Sequence, residues 1–406
     1  MRAIADTDRL VADGIIDAHQ AQEIERRARR EMVALGVNCI LCLGILAATG
    51  GLIFWLADPL AVAIWGLLSL AGGAAILWRG GDLFAMFGHA MALIGAGMLV
   101  GGACVELVQN HAAIAAVFML LGGATLLLAS GVLLLRPLAR GRFVLGAIFL
   151  MGLAVHLSGT ALWLEEHEIA GASRVVFYFY AAVAIAGAGW LVDVRLVTAL
   201  AIVPFAQMLD TGTGYFHAAY VFFSPEPTLS ILQMCLLIAM MLTVARQSDA
   251  RTARHAMVLV MLAFVVANLC ALVGALWGDV VGETVLGPHW QDFDGEGGYN
   301  ATAYEAAREA FRDRAVTISA DLYAILWAIA LAATLVWAAL GSRRGLFNAA
   351  LTFAAIHFYT QLFESFGDEP LAWVIGGLAA VPLAWGMWRL DAWIARRAGE
   401  MKDNVG

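Results

Sequence analysis

From Val33 onward the chain alternates long apolar runs with short polar breaks, and most runs reach the ~20 residues that a helix needs to cross a ~30 Å hydrocarbon core. The pattern predicts spans at 33–56, 58–78, 83–106, 112–135, 142–164, 173–192, 196–222, 229–246, 255–278, 316–341, 345–365 and 370–390. Ahead of them, residues 6–31 read as a helical hairpin. A short helix around Leu10 and Val11 breaks at Gly14, and Asp17 then caps a second helix with Gln20 three residues on, as in a capping box. The polar stretch 279–315 between spans nine and ten reads as a large outer loop. It should hold a helix, with Thr302 and Glu305 as a second capping box and Tyr304, Ala307 and Phe311 on one face.

These elements predict an all-α integral membrane protein with about 12 transmembrane helices in one bundle and a short cytoplasmic N-terminal helical hairpin. The expected domains are the hairpin at 1–32, a membrane domain at 33–394 and a cytoplasmic tail at 395–406. Charge supplies a check on the span count. With the N-terminus inside, twelve spans leave only Arg174, Arg308, Arg312 and Arg314 of the 24 basic residues outside, the asymmetry that the positive-inside rule demands. Acids gather on the opposite side at Glu165, Glu166, Glu168, Asp279, Glu283, Asp292, Asp294, Glu296, Asp368 and Glu369.

Composition agrees, since 62% of residues are hydrophobic and 14% charged, against about 25% charged in soluble domains. The first 30 residues are polar, carry Arg26, Arg27, Arg29 and Arg30, and show no signal-peptide pattern. Both termini are therefore expected in the cytoplasm of a bacterial inner membrane. The net charge of −8 follows from this sorting and does not suggest a nucleic-acid partner. The expected partners are the lipid bilayer and a protein docked on the hairpin. Cys39, Cys42, Cys104, Cys235 and Cys270 all lie in apolar runs, so no structural disulfide is expected.

Gly14-Ile15-Ile16, Gln20-Ala21 and Ile24, followed by Leu93-Ile94-Gly95, Gly101-Gly102 and Leu107-Val108-Gln109, resemble the hairpin and glycine-bearing third span of a bacterial membrane-protein family, domain of unknown function 2157. The likeness covers about the first 110 residues. Trp55-Leu56-Ala57-Asp58 departs from the Asn-Trp ending of that family's first span. The resemblance implies a multi-pass topology and no activity or site residues.

Ionisable side chains inside a span cost roughly 2.5–3.5 kcal/mol each, so each needs a reason. Glu106, His156, Asp210, His217, Asp321, His357 and Glu364, with Gln361, fall in the outer halves of the predicted spans. His357, Gln361 and Glu364 share one helical face. These eight are the candidate lining of a polar cavity open to the outer side. The competing reading makes Glu106 and Glu364 interface markers and pairs the histidines with backbone or neighbouring spans. Span seven is irregular at Pro204 and at Asp210-Thr211-Gly212-Thr213-Gly214. Its helix either breaks within the membrane or ends near the outer interface, with Gly212 to Pro227 an ordinary loop.

Other patterns carry less. Asp292-Phe293-Asp294-Gly295-Glu296-Gly297 begins like a calcium loop, but Ala303 stands where the bidentate glutamate belongs. Cys39-x-x-Cys42 lacks a second ligand pair, and Gly72-Gly73, Gly122-Gly123, Gly376-Gly377 and Gly97-x-x-x-Gly101 point to close helix packing. No cofactor or metal site is expected, and no hydrolase or nucleotide-binding motif occurs. Three functions are compatible: a transporter or permease, a noncatalytic assembly or sensing partner, and a membrane enzyme whose Arg308, Arg312 and Arg314 clamp a lipid-linked phosphate.

Overall fold

The computed structural model describes residues 7–24, 51, 58–79, 82–136, 141–169, 171–216, 219–295, 298–341 and 343–366, with isolated helical positions between 371 and 389. Predicted span one, most of span twelve, Cys39, Cys42, His217, Gly376 and the C-terminal tail lie outside these residues. The chain divides into two compact units, Met1–Glu168 and Ile169–Gly406.

In the first unit, α1 spans Thr7–Ala12, and Gly14 turns the chain with φ +68°. A second helix, α2, begins after Asp17 and is described over 18–24. The predicted capping box is present: Gln20 N–H donates to Asp17 Oδ1 at 2.7 Å and Asp17 N–H to Gln20 Oε1 at 3.0 Å. Four long apolar helices follow: α3 (Pro59–Arg79), α4 (Asp82–Asn110), α5 (Ala112–Leu134) and α6 (Arg142–Glu166). Asp58 caps α3 by accepting from Ala61 N–H at 2.9 Å, ahead of a proline at the first helical position.

Glycines set how these helices meet, at a spacing the sequence reading missed. Gly66 of α3 and Gly95 of α4 face each other so closely that a Cβ on Gly66 would stand 2.3 Å from Leu99 N and one on Gly95 2.3 Å from Leu70 N, while Gly73 of α3 meets Ala92 and Gly102 of α4 meets Pro59 and Ala63. Gly123 of α5 meets His156 N at 2.3 Å on the same measure, and Gly159 of α6 meets Leu120 N at 2.3 Å. Gly66 and Gly73, and Gly95 and Gly102, stand seven positions apart, which keeps one stripe of α3 on one stripe of α4. The Gly97-x-x-x-Gly101 pair is not the packing motif. Gly101 has open space at its Cβ position, and Gly97 touches only the tip of Met151.

The second unit begins with α7 (Ala172–Val192). The predicted span 196–222 is not one helix. It consists of α8 (Arg195–Leu200), α9 (Ile202–Gln207), a turn through Asp210 at φ +54°, and a hairpin of β1 (Gly212–Phe216) and β2 (Ala219–Phe223) paired from Gly212↔Phe223 to Phe216↔Ala219. Pro204 lacks the N–H that would continue the helix ladder, and the aromatic and β-branched residues after Gly212 favour strands. The segment after α9 is thus a hairpin, neither membrane helix nor ordinary loop.

Then come α10 (Pro227–Gln247), α11 (Ala250–Trp277), β3 (Asp279–Val280), α12 (Glu283–Leu286), a 3-10 turn at Trp290–Phe293, β4 (Asp294–Gly295), β5 (Gly298–Tyr299), α13 (Ala301–Arg312), β6 (Thr317–Ile318), α14 (Ala320–Leu340) and α15 (Arg344–Phe366). β3 pairs antiparallel with β6, closing the outer loop on itself. The helix predicted in that loop is α13, with Tyr304, Ala307 and Phe311 on its less exposed face. Its N-cap is Asn300, which accepts from Ala303 N–H at 3.1 Å. Thr302 lies one residue inside the helix and cannot serve.

The core of this unit is built on α11. One cluster joins Ala271 and Ala275 to Tyr323, Trp327 and Leu331 of α14 and Phe353 of α15. A second joins Ala263 to Ile202, Ala206, Met234 and Leu237. Chain connections and side-chain contacts define two ends. Arg195, Arg246, Arg251, Arg254, Arg343 and Arg344 stand at helix termini of one end, while the outer loop and the start of α10 stand at the other. Tryptophans mark the arginine end, with Arg251 over Trp190 at 5.1 Å and Arg343 over Trp337 at 4.1 Å.

Eight described helices are long and apolar enough to cross a membrane, and in each no more than about a third of the apolar stretch is buried in the protein. Such surface needs lipid around it, which makes this an all-α membrane protein.

Candidate functional site

At the loop end of the second unit the helix termini bring polar groups together inside the protein. The Tyr323 ring lies over Gly274, where a Cβ would stand 2.6 Å from ring carbons. This close seat aims the phenol at Asp279, and Tyr323 OH donates to Asp279 Oδ2 at 3.1 Å. Thr228 N–H donates to the same oxygen at 2.9 Å. The tyrosine proton being used, the Thr228 hydroxyl donates in turn to the tyrosine oxygen. Asp279 is 6% exposed, and its other oxygen, Oδ1, is buried with no hydrogen-bond partner among the described residues.

Two residues before Thr228, Glu226 is also buried, at 4% exposure. Its Oε1 accepts from Gly282 N–H at 2.8 Å and its Oε2 from Thr284 N–H at 3.1 Å. The glutamate therefore caps α12 from another part of the chain and ties the outer loop to the start of α10. Gly282 holds φ +89°, a conformation that glycine adopts without strain. Beside this tie Thr211, Ser224 and Ser230 form a closed triangle of hydroxyls at 2.6, 3.0 and 3.2 Å, all buried. Buried Cys270 lies within hydrogen-bonding reach of Ser224 and Ser230. Gln233 of α10 donates to Phe205 O at 2.6 Å, serving the carbonyls left open where α9 stops.

Within the outer loop one carboxylate holds two arginines. Arg308 Nε sits 2.5 Å and Arg312 3.7 Å from Glu283 Oε1, and the hydrogen bond to Glu283 raises the Arg308 pKa further. Two of the three arginines singled out as a phosphate clamp are thus engaged by a carboxylate.

A second polar link closes the arginine end. His255, 3% exposed, meets Thr198 Oγ1 at 2.6 Å through Nδ1 and Asp193 Oδ1 at 3.0 Å through Nε2. Arg251 approaches the same Asp193 oxygen at 3.5 Å. The hydrogen bond from His255 lowers the Asp193 pKa, opposed by partial burial and reinforced by Arg251 and Arg254. The order hydroxyl, imidazole, carboxylate matches a catalytic relay, but a Cβ on Gly189 would come within 2.4 Å of Thr198 Oγ1. That hydroxyl has no room for a substrate, and the link joins α7, α8 and α11 mechanically.

The residues chosen from sequence are distributed differently. In the first unit Glu106 accepts from Asn110 Nδ2 at 2.9 Å and faces His111 at 3.7 Å near the end of α4, while His156 Nδ1 contacts Leu120 O of α5 at 2.9 Å. In the second unit Asp210 is exposed in its turn, Asp321 is exposed in the first turn of α14, and Glu364 is exposed on α15. His357 and Gln361 are half-buried on one face of α15, and the His357 ring meets Trp327 edge-on at 4.6 Å between centroids. Among the described residues no hydrogen bond or ion pair joins Asp210, Asp321, His357, Gln361 and Glu364. The buried carboxylates that do share one neighbourhood are Glu226 and Asp279. Sequence carried a signal for Glu226, since Ser224-Pro225-Glu226-Pro227 opens a span with a carboxylate between two prolines.

Fold and site together define a polytopic α-helical membrane protein with an interrupted helix beside a buried polar cluster. Models of known protein families, curated proteins and solved structures contain no match to this chain.

Proposed function

We propose that this chain is a transporter- or permease-like protein of the bacterial inner membrane, crossing it about twelve times with both termini in the cytoplasm and moving a proton or small cation through its second unit. Asp279 carries the reading: a nine-tenths-buried carboxylate with two donors on one oxygen and, among the described residues, none on the other and no basic side chain bonded to it. A buried unpaired carboxylate oxygen is costly unless a proton, a cation or a donor completes it, and such groups within membranes mark ion paths. The interrupted helix α8–α9 ends beside the same cluster, as discontinuous helices do at transporter sites. The likeness of the N-terminal third to domain of unknown function 2157 accords with this topology.

The proposed span parity does not depend on span seven being one helix. Thr198 is bonded to His255 near the start of α11, and Thr211 to Ser230 near the start of α10, so α8, α9 and the following turn carry the chain from one end of the unit to the other. A reporter active only in the cytoplasm should give signal when fused after Gly406 and none when inserted at Gly297. The opposite pattern would overturn the orientation.

The activity itself is tested with full-length protein in liposomes holding a pH-sensitive dye or a sodium or potassium indicator, under an imposed gradient of each ion. Flux is expected with the native chain, falling to the level of protein-free liposomes in Asp279→Asn inserted to the same extent. Absence of any flux, or full flux in that variant, would remove the reading.

A further inference from the structure

Whether or not the chain moves an ion, we propose that the base of the outer loop, α12 with the β3–β6 ribbon, lies in the headgroup boundary of the bilayer at the loop end and not in water. Its outward surface is apolar, with Val285, Leu286 and Val316 63%, 76% and 70% exposed. The three stand close together. Val281 N–H donates to Val316 O at 2.9 Å, and a Cβ on Gly282 would be 3.7 Å from Leu286 Cδ1, so Leu286 folds back toward the end of the ribbon. Exposed apolar side chains gathered in this way call for a covering medium.

Its place in the fold identifies that medium. Only Gly278 separates α11 from β3, and only Ser319 separates β6 from α14, so the ribbon continues two membrane helices directly. Glu226, the residue before a third membrane helix, α10, accepts from the Gly282 and Thr284 N–H groups and pins α12 at the level where that helix begins. Trp277, the last residue of α11, is exposed where an interfacial tryptophan belongs, and exposed Leu322 and Ile325 begin the lipid-facing surface of α14. Farther along the loop the exposed chemistry reverses, to Thr302, Glu305, Glu309 and Arg312 on α13. A docked protein does not require this sorting by distance from the spans, whereas a bilayer does. The turn is also built to leave water. Its N–H groups at Gly282 and Thr284 are taken by Glu226, those at Leu286 and Gly287 by the carbonyls of Gly282 and Glu283, and the Glu283 carboxylate is held by Arg308 and Arg312. Arg314, exposed two residues before Val316, is placed to meet headgroup phosphates.

The test is photocrosslinking of the full-length chain in its intact native membrane, with a benzophenone side chain introduced at one position at a time and the adducts weighed. Leu236, exposed in the middle of α10, is the lipid-facing control, and Ala306, exposed on α13, the water-facing one. Probes at Leu286 and at Val316 are expected to capture phospholipid at a yield near that of Leu236 and roughly tenfold above that of Ala306, since burial of a leucine-sized side chain favours lipid over water by at least that factor. Protein adducts at Leu286 or Val316 would mean that another polypeptide covers the patch. Lipid capture at both positions no higher than at Ala306, with Leu236 reacting normally, would place the turn in water. Either result overturns the proposal.

Discussion

Replacing Gly95 by Val is expected to be among the most damaging single changes in this protein. A Cβ there would stand 2.3 Å from Leu70 N and 2.7 Å from Gly66 O, so backbone atoms of α3 must move for any side chain to fit. Flexible side-chain tips yield to overpacking, but two helix backbones separate only by giving up the contacts at Gly66, Gly73 and Gly102 as well. Overpacking costs roughly 1–3 kcal/mol where side chains can adjust, and Gly95 lies at or beyond the upper end. Gly101→Val is the control, on the same helix with nothing within 4 Å of the added Cβ. Thermal unfolding in detergent should show a loss of several degrees or aggregation for Gly95→Val and little change for Gly101→Val. Similar melting of the two variants would show that the heptad stripe does not hold α3 to α4.

Glu226→Ala should release the outer loop. The substitution leaves the Gly282 and Thr284 N–H groups without an acceptor in a buried site, and a hydrogen bond to a charged group contributes about 1.5–3 kcal/mol. Local opening is the expected form of the loss, because the β3–β6 pair and the Glu283 bridge to Arg308 and Arg312 still hold the rest of the loop. Amide exchange at 282–286 should accelerate by roughly two to four orders of magnitude, since two such bonds amount to about 3–6 kcal/mol and each 1.4 kcal/mol is a factor of ten. Glu226→Gln keeps one acceptor and turns an NH₂ toward the second N–H, so exchange should rise to an intermediate rate. Unchanged exchange in Glu226→Ala would mean that the loop is held without the carboxylate.

The two results bear on what could be read from sequence. Hydropathy located α3 to α7, α10, α11, α14 and α15 to within a few residues, because twenty apolar residues in a row have few alternatives to a membrane helix. It failed at 196–222, where Tyr215, Phe216, Tyr220, Val221, Phe222 and Phe223 are as apolar as a span but belong to a hairpin. The local cap at Asp17 was legible from neighbours three residues apart. The packing glycines were legible in part: Gly73 and Gly123, named within glycine pairs, do pack closely, whereas the contacts of α3 with α4 use a spacing of seven and not the four of Gly97 and Gly101. The polar cluster was missed for a related reason. Depth along a span is a one-dimensional measure, and it selected Asp321 and Glu364, which face outward. Glu226 and Asp279 lie beyond span ends in sequence and fold back into protein, Glu226 bonded to Gly282 across 56 residues and Asp279 to Thr228 across 51, contacts that no local pattern records.

The short helix pair α8–α9 also bears on the membrane itself. Its thirteen residues rise ~20 Å, about two thirds of the ~30 Å of hydrocarbon that α10 and α11 match or exceed. Lipids along that flank meet an apolar belt shorter than the one on the neighbouring helices, and β1–β2 continues above it with strand edges that hydrocarbon cannot solvate. The bilayer is thus asked for two thicknesses around one protein, a hydrophobic mismatch of several ångströms confined to one side. Such mismatch costs fractions of a kcal/mol per ångström, so the thickness of the host membrane weighs on this flank more than on the rest of the molecule.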